Sequence, residues 1–90
     1  MNKTEVIHYV DEIAGQIDVV ALEIWRKPEI AGQEEHSANL FRQVLEEHGF
    51  TIREVGHGLD HAFFAEYGSG SPVLAVLGEY DALPGLSQEL

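Results

Sequence analysis

Near the N-terminus, apolar residues recur at alternating spacings of three and four, which is the period of one face of an α-helix. This face consists of Val6, Val10, Ile13, Ile17, Val20 and Ile24. Thr4 is a residue type that caps helix N-termini, and Pro28 disfavours helix at the residue before it. The pattern therefore predicts a first helix over residues 4–26, with Trp25 completing its buried stripe.

A second apolar face indicates a helix over residues 33–48. Its members are Ala38, Leu40, Phe41, Val44 and Leu45. Gly49 suits the left-handed position that ends many helices, and Phe50 beyond it can fold back on the last turn. We therefore expect the helix to stop at this glycine.

From residue 50 onward the period changes to two, as in half-exposed strands. We predict a strand over 50–55, a loop at 56–58, and a second strand over 61–67 that ends in a glycine- and serine-rich turn. Residues 73–77 (VLAVL) are continuously apolar and predict a third strand. A strand of this kind requires cover on both faces, as central strands of α/β sheets do.

These elements predict an α/β fold in which two N-terminal helices pack on a small mixed sheet of about three strands. Two helices and two further strands barely cover a sheet whose central strand is fully apolar. We therefore expect the chain to be the first part of a larger domain, or to self-associate through the uncovered apolar surface of the sheet.

Composition narrows the function classes. Sixteen acidic residues against five Lys and Arg give a formal charge of −11, which argues against nucleic acid and anionic membranes as partners. The absence of cysteine excludes disulfides, thiol catalysis and Cys-based zinc sites. No apolar run approaches the roughly 20 residues of a membrane span, and no signal-peptide pattern is present. A cytoplasmic protein is the expectation.

The segment 78–85 (GEYDALPG) follows the predicted third strand, where open α/β sheets bind ligands. Glu79 and Asp81 are two residues apart, so in extended backbone their side chains point to the same side. Two converging carboxylates repel unless a proton or cation intervenes, so a divalent-metal or acid–base site is one interpretation. The other is that both are solvated loop residues.

Histidines offer a second possible metal site. His57 and His61 are four residues apart with Asp60 between them, a spacing that could bind zinc on a helix. Gly56 and Gly58 argue against a helix there, so we interpret both histidines as loop residues.

Three segments resemble a known family: residues 28–37 (PEIAGQEEHS), 64–70 (FAEYGSG) and 77–84 (LGEYDALP). Nearly the whole chain resembles the metal-dependent amidohydrolases that include aminoacylase, carboxypeptidase G and p-aminobenzoyl-glutamate hydrolase. It is most similar to the branch that contains one of the subunits of p-aminobenzoyl-glutamate hydrolase and the aminoacylase-1-like dipeptidases. The resemblance implies that residues 1–90 are the N-terminal segment of a three-layer α/β/α, phosphorylase/hydrolase-like peptidase domain, without a second domain.

The resemblance also implies roles for the two carboxylates. Asp81 matches a family Asp that orients a metal-binding histidine or bridges toward a metal pair, which makes it the catalytic candidate. Glu79 takes the position where relatives have a ligand His or Asp, so it is a candidate metal ligand, although Glu departs from that pattern. The family's other ligands and its catalytic Glu are absent from this chain.

The implied activity of the full-length enzyme is hydrolysis of the amide bond in an N-acyl amino acid, aminobenzoyl-glutamate or dipeptide-like substrate, with two zinc or manganese ions. The chain alone is expected to be inactive and to bind no metal. Two alternatives stay open. One is a small non-enzymatic α/β module that acts by association, and the other is an acidic cation-binding domain that uses Glu79 and Asp81.

Overall fold

The computed structural model describes residues 2–86, so Met1 and residues 87–90 of the predicted 1–90 segment lie outside the described residues. In chain order the elements are α1 (Lys3–Arg26), α2 (Glu35–Glu47), β1 (Thr51–Glu54) and β2 (Phe63–Glu66). This arrangement confirms the α/β class and both predicted helices.

Helix α1 begins slightly earlier than predicted because its N-cap is Asn2, not Thr4. The Asn2 side chain accepts a hydrogen bond from the Glu5 amide at 2.9 Å, and the Glu5 carboxylate accepts one from the Asn2 amide at 3.3 Å. This reciprocal capping box satisfies two amides that the helix itself leaves free. Neither helix in residues 2–86 combines the length and the apolar character that crossing a bilayer requires.

Much of the predicted apolar face of α1 is open to solvent. Val20 is 9% exposed and forms part of the small core with Ala38, whereas Val10 and Ile17 are exposed. The prediction that Trp25 is a core residue is wrong, since its side chain is 43% exposed. The physical reason is size, because α2 has 13 residues and cannot cover the 24 residues of α1.

The end of α2 follows the prediction closely. Gly49 has a φ of 88°, in the left-handed region. The Gly49 amide donates to the Glu46 carbonyl at 3.0 Å, and the Phe50 amide donates to the Leu45 carbonyl at 3.0 Å. This pair of bonds is the Schellman motif, which satisfies carbonyls at the helix end and turns the chain toward β1.

Strands β1 and β2 pair antiparallel, from Thr51 opposite Glu66 to Glu54 opposite Phe63. The predicted third strand at 73–77 does not form, and the sheet has two strands rather than about three. The side chains of this segment are exposed, Val76 by 98%. A strand requires a neighbouring backbone for its hydrogen bonds, and apolar composition does not supply one. Residues 70–72 of the predicted glycine- and serine-rich turn form a bend, and since no third strand follows at 73–77, they do not join two strands as a hairpin turn would.

Arg42 connects α2 to the two strands. Its guanidinium donates to the side chain of Asn39 at 3.0 Å, to the carboxylate of Glu54 at 2.9 Å and to the carbonyl of Asp60 at 2.8 Å. It also lies 5.0 Å from the centre of the Phe63 ring. A planar group with several donors can make these contacts at once, which a lysine could not.

We expect Arg42→Ala to lower the free energy of unfolding by about 1–2 kcal/mol, because hydrogen bonds and a cation–π contact are lost together. Urea unfolding measures the change. The matched control is Arg53→Ala, which removes an exposed pair with Glu66 at 3.3 Å and should cost less than about 0.5 kcal/mol. Equal losses in the two variants would contradict the connecting role.

Candidate functional site

The segment that carries Glu79 and Asp81 is attached to the rest of the structure through Tyr80. The Tyr80 hydroxyl donates to the His61 carbonyl, and its ring packs against Phe41 of α2 with centroids 5.2 Å apart. Aromatic pairs at this distance contribute beyond the area they bury. Tyr80 therefore holds the segment against α2 and the loop before β2.

The surroundings of Tyr80 also raise the pKa of its hydroxyl. Burial is the largest cause and raises the pKa of Tyr80 above its ordinary value of 10.0. Arg42 lowers this pKa, whereas the carboxylates of Glu34, Glu29 and Glu54 raise it. The net direction is upward, which is consistent with the Tyr80 hydroxyl acting as the hydrogen-bond donor to the His61 carbonyl.

A second attachment lies on the other side of Asp81. The Ala82 amide donates to the Glu29 carbonyl at 2.7 Å, and Ile30 and Ala82 form a parallel β-bridge. Asp81 thus lies between two residues that are both held to the helical part of the structure. Its backbone is constrained from both directions along the chain.

Glu29 is a residue that the sequence reasoning missed. Its carboxylate accepts hydrogen bonds from the His36 amide at 2.9 Å, the Ser37 amide at 2.7 Å and the Ser37 hydroxyl at 2.7 Å. Ser37 has no exposed surface. Glu34, which occupies the N-cap position of α2, makes no side-chain capping bond. The predicted start of α2 has no Ser, Thr, Asp or Asn at the N-cap. That absence was the signal in the sequence that a residue from elsewhere caps the helix.

These contacts shift the pKa of Glu29. Partial burial by itself raises this pKa, but the hydrogen bonds from the Ser37 hydroxyl and from the His36 and Ser37 amides lower it, as does the charge of His36. The hydrogen bonds prevail, and the net pKa lies below the ordinary value of 4.5. The carboxylate is therefore ionised at neutral pH.

This shift predicts a pH dependence of stability. A folded-state pKa below the unfolded one stabilises the fold above the unfolded value, and that contribution is lost as pH falls from about 4.5 toward the folded pKa. We expect Glu29→Gln to show a smaller loss of unfolding free energy between pH 6 and pH 3.5 than the unchanged chain. Urea unfolding at both pH values measures this loss. Glu35→Gln is the control and should lose as much unfolding free energy as the unchanged chain. Identical pH profiles for all three chains would contradict the prediction.

Two clefts meet at Asp81. Glu79 and Asp81 both line an open cleft of about 1440 Å³ beside α2 and β2. Asp81 also lines a smaller cleft of about 550 Å³ at the C-terminal end of α1. Apolar side chains dominate the walls of the smaller cleft, namely Ile24, Trp25, Pro28, Leu83 and Leu86. Both carboxylates are exposed, and their predicted roles stay predictions.

Within residues 2–86, no three His, Cys, Asp or Glu side chains come together in a way that could hold a metal ion. Glu79 and Asp81 are thus two carboxylates on one cleft without a third ligand among the described residues. His57 has a φ of 57° and lies in the loop between β1 and β2, as predicted from Gly56 and Gly58. His61 lies on the large cleft.

One curated protein decides the family. This relative is a subunit of p-aminobenzoyl-glutamate hydrolase from Escherichia coli (strain K12), and it is 49% identical to this chain over 71 residues, which is 78% of the chain. The chain belongs to the family of that hydrolase. It spans 15% of the length of this relative. Membership confirms the resemblance to the amidohydrolases, while no family model and no solved structure matches the chain.

Proposed function

We propose that this chain is part of a cytoplasmic amidohydrolase that cleaves the amide bond of an N-acyl amino acid, aminobenzoyl-glutamate or dipeptide-like substrate. The observation that carries the proposal is the 49% identity over 71 residues to the p-aminobenzoyl-glutamate hydrolase subunit. The chain spans only 15% of that relative, so the proposal concerns the product of the complete reading frame that contains these 90 residues.

The clefts around Asp81 support this assignment. Small-molecule sites are usually clefts of about 300–1,000 Å³ lined mainly by apolar side chains, with a few polar groups that orient the ligand. The smaller cleft has this character, since its lining includes Trp25, Pro28 and Leu83 together with Asp81. The apolar or aromatic part of an amide substrate would occupy it, which places polar substrate atoms near the Asp81 carboxylate.

Metal dependence belongs to the proposal as well. The family resemblance implies two zinc or manganese ions, but the described residues do not form a complete ligand set. Glu79 and Asp81 could contribute at most part of one, and the other ligands would come from residues outside this chain. In this proposal Asp81 acts as a carboxylate that orients a neighbouring group of the active site.

Hydrolysis by the product of the complete reading frame tests the proposal. Release of a free amine from aminobenzoyl-glutamate, an N-acetyl amino acid and a dipeptide would be followed with zinc, with manganese and with a chelator. The expected result is hydrolysis of at least one substrate, lost with the chelator and restored by a metal. A folded product that cleaves none of the three would overturn the assignment.

A second function, association of the 90-residue chain with copies of itself, is favoured by one observation. Val73, Leu74, Val76 and Leu77 are between 86% and 98% exposed in one continuous segment. Exposed apolar patches of this kind mark interaction surfaces or aggregation-prone sites. Burying four such side chains would contribute several kcal/mol, at about 25 cal/mol per Å² of apolar surface.

We expect light scattering to give a mass above that of the monomer for the 90-residue chain. The double variant Leu74→Asp with Val76→Asp should move the mass to that of the monomer, because charges in the contact would be desolvated. Val19→Asp is the control, since Val19 is 61% exposed on α1. A monomeric unchanged chain, or an equal effect of the control, would contradict association through this segment.

A further inference from the structure

We propose that Glu29 is a positioning residue that holds Asp81 in place, because it binds the segment after Asp81 with its backbone and the start of α2 with its side chain. The inference rests on the proposed function, in which Asp81 belongs to the active site. Glu29 itself is not proposed to touch substrate. It would act only through the backbone next to Asp81.

Glu29 contacts the segment that carries Asp81 through its backbone. The Glu29 carbonyl accepts the hydrogen bond from the Ala82 amide at 2.7 Å, and the neighbouring Ile30 is bridged to the same alanine. Ala82 directly follows Asp81. A shift of residues 29–30 would therefore move the peptide group that joins Asp81 to Ala82.

The side chain of Glu29 contacts the start of α2. Both carboxylate oxygens of Glu29 are used, one by the His36 amide and the other by the amide and hydroxyl of Ser37. Because Ser37 has no exposed surface, water cannot readily replace the carboxylate, and an unpaired hydroxyl there would cost free energy. Three hydrogen bonds to the first turn of a 13-residue helix thus fix where Glu29 lies.

Tyr80 fixes the other side of Asp81 to the same helix, through its ring contact with Phe41. Residues 80 and 82 are therefore both held to α2, one by packing and one through Glu29. Asp81 lines both clefts, and the residues on either side of it are held in place. Support of this kind around a functional side chain commonly changes activity by about 10- to 100-fold when it is removed.

Amide hydrogen exchange tests the positioning directly. Glu29→Gln keeps the size of the side chain, but its NH₂ group faces the His36 amide, donor against donor. In the 90-residue chain we expect exchange of the Ala82 amide to speed up about tenfold relative to amides in the middle of α1. Glu35→Gln, which removes a charge from the same helix turn without removing these bonds, should leave the ratio unchanged.

Two further variants separate positioning from loss of stability. Val20→Ala destabilises the core and should speed exchange at Ala82 and in α1 to the same degree. Ser37→Ala removes one of the three hydrogen bonds and gives a milder change if Glu29→Gln does not fold. If Glu29→Gln, or Ser37→Ala in its place, changes the ratio of Ala82 exchange to α1 exchange no more than Val20→Ala does, the positioning role is overturned.

Kinetics on the product of the complete reading frame extend the test. We expect Glu29→Gln to lower kcat by about 10-fold or more with KM nearly unchanged, and Val20→Ala to leave both unchanged at a temperature where each variant is folded. If the unchanged enzyme hydrolyses a substrate and Glu29→Gln has a normal kcat, the proposed function stands and the positioning role is overturned. Absence of hydrolysis in the unchanged enzyme would instead overturn the proposed function, and with it the catalytic purpose of the positioning.

Discussion

Replacing Asp81 by Asn is expected to lower kcat/KM for amide hydrolysis by about 100-fold or more in the product of the complete reading frame. The substitution keeps the shape of the side chain and removes its charge, and groups that orient or exchange protons in active sites contribute on this scale. Asp81 is exposed, so the free energy of unfolding should change by less than about 0.5 kcal/mol. Steady-state kinetics and urea unfolding on the same preparation measure the two effects.

The matched control is Asp18→Asn, which makes the same chemical change at an exposed position of α1. It should leave kcat/KM within about twofold of the unchanged enzyme. Glu79→Gln separates the two carboxylates that line the large cleft. Full activity of Asp81→Asn would remove Asp81 from the proposed site, and a loss confined to Glu79→Gln would transfer the role to Glu79.

The largest expected effect on stability is that of Tyr80→Ala. This change removes the ring contact with Phe41 and the hydrogen bond to the His61 carbonyl, and we expect a loss of about 2–3 kcal/mol in the free energy of unfolding. Tyr80→Phe removes only the hydroxyl and should cost about 1 kcal/mol. Chemical unfolding followed by circular dichroism measures both.

Tyr67→Ala is a closely matched control. The Tyr67 ring also lies 5.2 Å from a phenylalanine, Phe50, but its side chain is 72% exposed. Little surface is therefore removed from water at Tyr67, and the loss should stay below about 1 kcal/mol. If Tyr67→Ala costs as much as Tyr80→Ala, the segment 79–82 is not attached through Tyr80 in the way described.

Local patterns were sufficient for most of the elements. The three-and-four spacing of Val6 to Ile24 predicted α1, although its N-cap is Asn2 and not Thr4, and Gly49 marked the end of α2. Alternation placed β1 and β2. These features depend on helix period, strand period and the conformational freedom of one glycine, all of which neighbouring residues determine.

Two wrong predictions, a third strand at 73–77 and a buried Trp25, have a common cause. Residues 73–77 have the composition of a buried strand, yet a strand also requires a partner backbone, and the described residues provide none beside them. Trp25 continues the apolar stripe of α1, yet its burial requires a neighbouring element, and α2 is too short to cover it. Composition predicts what a segment can bury, not whether another element is there to cover it.

The sequence by itself determined the α/β class, the two helices and the family resemblance, and it predicted a site in the segment around Asp81. Only the tertiary structure decided how that segment is held, because Glu29 lies 52 residues before Asp81 and its contacts depend on α2 folding between them. The Glu29 carboxylate caps α2 and the Glu29 carbonyl binds Ala82, and neither contact produces a repeating pattern in the sequence. Their effect arises from geometry, since two hydrogen-bonding groups of one residue can join distant segments only after both segments have folded.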